Sequence, residues 1–137
     1  MRYLLDANIL SEGRKPKPEP KVLSWLLHNA PASSLSVLTI GEFVKEASVL
    51  PNGKRRRDLE AWIDELEREF TGRLLALDVR EVRVWGQFYG NRQAAGNKLP
   101  LLDSLIAATA LAHHLILVTR NTDDFADTGV MVLNPFK

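Results

Sequence analysis

The stretch "DSLIAATALAHHLILVTRNTDD", residues 103–124, decides the fold. Its first twelve residues form an alanine-rich helix, whose small side chains let a helix approach a sheet closely. "LILVT" (115–119) follows at once as a continuous apolar, β-rich run, the pattern of a strand buried on both faces. A helix feeding directly into such a strand is the repeating unit of a parallel sheet covered on both sides. The remaining question is whether the rest of the chain repeats that unit.

It does, in both directions. "RYLLDA" (2–7) reads as a short buried strand, and "GRKPKPEP" (13–20), with prolines at alternate positions, reads as an extended solvated loop. Val22, Leu23, Trp25, Leu26 and Leu27 make an apolar helical segment, and "SLSVLT" (34–39) a second strand. Ile40, Phe43, Val44 and Ala47 then recur at the spacing of one helix face. Leu59, Trp62, Ile63, Leu66 and Phe70 do the same after "LPNG" (50–53). "RLLALD" (73–78) suits a short strand. Val82, Trp85 and Tyr89 suit a helix whose pattern fades between Gly90 and Gly96, and "GVMVLNP" (129–135) suits a last strand. Strands alternating with helices predict an α/β fold: three layers, α/β/α, around a short, mostly parallel sheet, with residues 1–137 as one domain.

Composition narrows the function only by exclusion. Eighteen basic and 17 acidic residues give a net charge of +1, so nothing global points to a nucleic acid or a membrane surface. The absence of cysteine excludes disulfides, thiolate metal sites and a cysteine nucleophile. Asp6 interrupts the first apolar run and no stretch reaches the roughly 18 apolar residues of a membrane span, so a soluble intracellular protein is expected.

The acids carry more. In open parallel sheets, ligands bind beyond the carboxyl ends of the strands. Asp6 follows the first strand, Glu42 opens the helix after the second, Asp103 opens the alanine-rich helix, and Asn121, Asp123 and Asp124 follow "LILVT". Such a cluster suits Mg²⁺ or Mn²⁺, hard cations that take oxygen ligands and keep waters for chemistry. Without a cation the carboxylates would repel one another and resist ionisation. Each acid also has a structural reading. Asp6 fits an Asx turn, Thr39 and Glu42 fit a helix capping box, Asp103 fits a helix N-terminus, and the Asn121–Asp124 group fits a turn. Joint placement, not any single residue, favours the metal site.

Other signals are weaker. The run Lys54, Arg55, Arg56, Arg57 suits either RNA phosphates or a solvated helix start. His28, His113 and His114 lack metal-ligand spacing, and "GNRQAAGNK" (90–98) fails the glycine spacing of a phosphate loop.

"YLLDANILSE", "LSVLTIGEF", "LPLLDSLIAATALAHHLILVTRNTDDF" and "GVMVLNPF" together resemble the PIN-domain ribonucleases of the VapC type, toxins of type II toxin–antitoxin pairs, especially the FitB-like subgroup. The likeness runs from Met1 to Phe136 with the motifs in family order. It implies a metal-dependent endoribonuclease with Asp6 and Asp103 as the Mg²⁺ (or Mn²⁺) ligands and Glu42 as the third acid. Asn121 stands where many relatives carry aspartate, and Asp124 belongs to the subgroup's "RNxxDF" ending. Ala7 stands where Thr or Ser is common, so a supporting hydroxyl is missing there. The resemblance further implies a cytoplasmic homodimer, an RNA substrate, a cognate VapB/FitA-type antitoxin, and operator DNA bound only through that antitoxin. The competing readings are a noncatalytic PIN-like interaction module and, less favoured, a phosphotransfer domain. A haloacid-dehalogenase-like phosphatase needs a second acid where Asn8 stands, and a response-regulator receiver needs a lysine where the chain reads "VTRN".

Overall fold

The computed structural model describes residues 2–96 and 99–137. Five strands, β1 (Tyr3–Leu5), β2 (Ser33–Ser36), β3 (Leu74–Leu75), β4 (Ile116–Val118) and β5 (Val132–Leu133), form one sheet in the order β3-β2-β1-β4-β5, every pairing parallel. Six helices connect them: α1 (Ala7–Glu12), α2 (Pro20–Asn29), α3 (Val37–Ser48), α4 (Lys54–Glu69), α5 (Val79–Ala94) and α6 (Leu101–His113). The chain winds outward from β1 to β3, then returns across β1 to lay down β4 and β5. The topological switch therefore falls between β1 and β4, where an open α/β sheet leaves a crevice.

Alternation along the strands assigns the two faces. Leu5, Leu35 and Val118 enter one apolar cluster with Ile9, Val22, Phe43, Leu59, Ile63 and Phe70, from α1 to α4 and the residue that closes α4. Leu4 and Leu117, their immediate neighbours, enter the other with Ile106, Ala107 and Ala110 of α6. Ala107, Ala108 and Ala110 are fully buried, so α6 lies close on the sheet, as its alanines predict. The three-layer architecture expected from the sequence is the one observed.

Several boundaries differ, each for a local reason. The second strand ends at Ser36, and "VLT" (37–39), which reads as its continuation, is already helix. Ser36 caps α3, its Oγ accepting from the Leu38 N–H at 3.1 Å, a geometry that a strand continuing to Thr39 would forbid. The Thr39–Glu42 capping box is accordingly absent: Thr39 is buried inside the helix and Glu42 lies in its second turn. The helix α1 is too short to show a period, and the sequence pattern does not predict it. α5 persists through Gly90 to Ala94 because tertiary contacts override its weak pattern: the Trp85 indole donates to Ser104 Oγ (2.9 Å) and the Tyr89 hydroxyl to the Leu99 carbonyl (3.1 Å). Of the stretch 90–98, Asn97 and Lys98 lie outside the described residues. The proline loop is exposed and tied at its base by buried Glu12, which accepts from the Glu19 N–H (2.8 Å) and pairs with Lys15 (2.8 Å).

A capping box does exist, at Asp78 and Glu81, where α5 begins. Burial pushes the Glu81 carboxyl up, but the backbone N–H groups of Asp78 and Glu81 and the His113 ring, 2.8 Å away, outweigh it and hold it below the usual carboxylate range. A depressed acid contributes stability above its unfolded pKa, near 4.3, and loses it as pH falls through the folded value. Glu81→Gln is thus expected to melt about 3–6 °C below wild type at neutral pH, roughly 1 kcal/mol of charge-assisted hydrogen bonding. In melts recorded from pH 7 to pH 2, that gap should close at the acid end; a gap independent of pH would assign the loss to packing.

Candidate active site

Asp6 closes β1 and caps α1 with extended backbone (φ −77°, ψ 158°), which turns its carboxylate over the carboxyl edge of the sheet. One oxygen accepts from the Ala7 N–H (2.9 Å); the other accepts from the Thr119 hydroxyl (2.8 Å) and the Asn8 amide (3.3 Å). A carboxylate offers about four lone-pair sites, so these bonds fix its rotamer and leave capacity for a further partner. The turn reading and the ligand reading of Asp6 are compatible.

Thr119 is the residue that sequence reasoning missed. It follows β4, is fully buried, and besides donating to Asp6 accepts from the Asn121 N–H (3.1 Å) and the Asn8 amide (3.3 Å). Asn8 in turn accepts from the Arg120 N–H (3.0 Å). One hydroxyl thus stitches the ends of β1 and β4 across the switch point. It supplies from the neighbouring strand the support that Ala7 does not give. Its signal was present in the sequence: a hydroxyl residue closing a buried strand, two positions before Asn121.

Glu42 comes from α3, the helix after β2, and Asp103 from the first turn of α6, the helix leading into β4. A helix antiparallel to its strands begins at the carboxyl edge, so both acids reach the side of the sheet where Asp6 stands. Burial first, then the charges of Asp6 and Asp103, raises the Glu42 carboxyl above its ordinary range; Lys45 opposes weakly. Burial, then Asp6 and Asp124, raises Asp103 in the same way. Asp6, Glu42, Asp103 and Asp124, from four separate segments, therefore share one electrostatic neighbourhood. Asn121 is tied to Thr119 through its backbone N–H, and Asp123 is exposed. Among the described residues, no three acids close into a finished ligand cage.

The donor set is all oxygen. His28 bonds the Ser24 carbonyl and His113 is paired with Glu81, so the described contacts of these imidazoles lie elsewhere. Glu42 and Asp103, whose ionisation is opposed by burial and by neighbouring carboxylates, suit a hard divalent cation, which relieves both costs. The residues fit such a metal.

Comparison with known proteins identifies the family. The PIN domain profile matches residues 3–131. Toxin FitB of Neisseria gonorrhoeae is 32% identical, with 97% of each chain covered. The VapC ribonuclease Y4jK of Sinorhizobium fredii is 30% identical over 98% of this chain and 97% of its own. Among solved structures, FitAB bound to a DNA fragment superposes with a TM-score of 0.90 at 31% identity, covering 98% of this chain and 96% of that one. A five-stranded parallel sheet in this order, and a match along nearly its whole length, place the chain in the PIN-domain family, alongside the FitB and VapC toxins.

Proposed function

We propose that this protein is the toxin of a type II toxin–antitoxin pair, an endoribonuclease that hydrolyses RNA phosphodiester bonds with Mg²⁺ or Mn²⁺. The observation that carries the reading is the shared neighbourhood of Asp6, Glu42, Asp103 and Asp124, in which burial and then Asp6 and Asp103 raise Glu42, and burial and then Asp6 and Asp124 raise Asp103. In this reading Asp6 and Asp103 hold the metal, Glu42 orients the attacking water or holds a second ion, and Asn121 with Asp124 completes the outer ligation. When bound, the cation stabilises charge on the phosphate oxygens and makes water a better nucleophile. The protein's own part is positional. Thr119 and Asn8 lock the Asp6 carboxylate before substrate arrives, and the Asn121 N–H bonds the same Thr119 hydroxyl.

Relatives carry the same activity in their names: VapC ribonuclease for one, toxin for another. The FitAB complex pairs a toxin with its antitoxin on DNA, which supports a FitA/VapB-type antitoxin here and operator contact through that partner. An apolar groove between α1, α2 and α4, lined by Leu10, Leu26, Trp62 and Leu66, leaves Leu27 79% exposed, surface that a partner segment would cover. No helix of the described residues is long and apolar enough to cross a membrane. A cytoplasmic homodimer, each chain folding as one unit, completes the reading.

The test is cleavage of total RNA by the purified, antitoxin-free protein with Mn²⁺ or Mg²⁺, beside Asp6→Asn and an EDTA control. Discrete metal-dependent products from the wild type alone are expected. Folded but inactive wild type would favour a noncatalytic interaction module. A second variant probes the support: Thr119→Val should weaken apparent Mn²⁺ affinity by about 10–100-fold, as losses of ligand-orienting partners do, while Thr119→Ser retains it. Equal Mn²⁺ titration curves for the two variants would remove Thr119 from the site.

A further inference from the structure

Arg120 lies in the turn that carries Asn121, and its backbone is clamped on both sides. Its N–H donates to Asn8 Oδ1 (3.0 Å), and its carbonyl accepts from Asn134 Nδ2 (3.3 Å). Its guanidinium lies over the Phe136 ring, 4.5 Å from the centroid, and the side chain is exposed. What sets Arg120 apart is the clamped backbone and the ring beneath its guanidinium, beside donors left free among the described residues; several other arginines are committed to protein partners. Arg73 spends its donors on the carbonyls of Ala30, Ser33 and Glu69, Arg80 on Ala112, and Arg92 on Asp127, while Arg14 and Arg56 pair with Glu46 and Glu60. Among the described residues no hydrogen-bond or ion-pair partner meets the Arg120 guanidinium. Glu12, whose carboxylate feels its charge, is already engaged by Lys15 and the Glu19 N–H.

A polyanion approaching four carboxylates meets repulsion everywhere except at the metal, so phosphates flanking the scissile one need a positive seat. A guanidinium presents five donors in a planar fork that matches two phosphate oxygens. Stacking on Phe136 and the clamped turn hold that fork in place, reducing the entropy lost on binding. We propose that Arg120 binds an RNA backbone phosphate next to the cleaved bond and seats the substrate against the acid site. Two covalent neighbours link it to that site: Thr119, bonded to Asp6, and Asn121. The assignment rests on the ribonuclease reading above.

The experiment compares steady-state cleavage of a single-stranded oligoribonucleotide by wild type, Arg120→Ala, Arg120→Lys and Arg68→Ala with Mn²⁺, from 50 to 200 mM salt. Arg68 serves as control because it lies in the last turn of α4, five residues before Arg73, which bonds the Ser33 carbonyl where β2 starts. Arg120→Ala should lower kcat/KM by about tenfold or more, mostly through KM, with melting temperature preserved. Its log kcat/KM should fall less steeply with log salt, the slope shallower by about 0.7, the release expected for one single-strand phosphate contact. Arg120→Lys should keep the wild-type slope with intermediate kcat/KM, and Arg68→Ala should match wild type. A kcat/KM within twofold of wild type, or a loss with the salt slope unchanged, would overturn the assignment. Wild type that cleaves nothing would instead refute the ribonuclease reading.

Discussion

Asp103→Asn is expected to lower RNA cleavage by about a thousandfold or more, some 4 kcal/mol of transition-state stabilisation, while leaving the metal-free protein as stable as wild type or slightly more so. The two halves of this prediction have one cause. Asp103 is half-buried in the first turn of α6, where the helix dipole favours an anion by about 0.3–1 kcal/mol, yet its pKa is raised. Burial and the charges of Asp6 and Asp124 therefore outweigh the dipole. An acid with a raised folded pKa costs stability above its unfolded pKa, and the amide removes that cost. Melting curves in EDTA and in Mn²⁺ separate the effects. Wild type should gain more on metal addition, because only a folded state with its ligand intact binds tightly. An Asp103→Asn variant that fails to fold would make Asp103 structural; undiminished cleavage would remove it from the chemistry.

Much of this arrangement was legible in the chain because its signals are non-local and redundant. "LILVT" has no polar position before its closing threonine, so it demands cover on both faces, and the alanines before it demand a close-packed helix. Acids after several such strands then meet at one edge by topology alone. What stayed hidden was local competition. "VLT" has the side chains of a strand, and only the Ser36 hydroxyl, one atom bonding one N–H, starts the helix ahead of Thr39. Thr119 was hidden for a different reason. Its role is a contact 113 residues away in sequence, and no periodicity encodes a single hydrogen bond. The helix α5 shows the same limit, since its continuation past Gly90 depends on Ser104 and Leu99 in another part of the chain.

Phe43→Ala is expected to have the largest effect on stability, about 3–5 kcal/mol, without comparable damage to the chemistry. Phe43 is 2% exposed and meets Trp62 edge-on, ring centroids 4.8 Å apart, at the centre of the cluster beneath the sheet. Truncation removes that pair and leaves a cavity where α3 crosses α4, in a fold whose total stability is of order 5–15 kcal/mol. The protein should remain folded at low temperature but with its urea midpoint sharply lowered and its m-value unchanged. Glu42 is the adjacent residue, yet neighbours on a helix point about 100° apart, so the apolar face and the acid serve different sides of α3. Cleavage at about 15 °C, normalised to folded protein, should thus stay within a few-fold of wild type. If instead the folded variant loses activity as Asp103→Asn does, the packing of Phe43 sets the position of Glu42, and the core beneath the sheet belongs to the site as much as the acids above it.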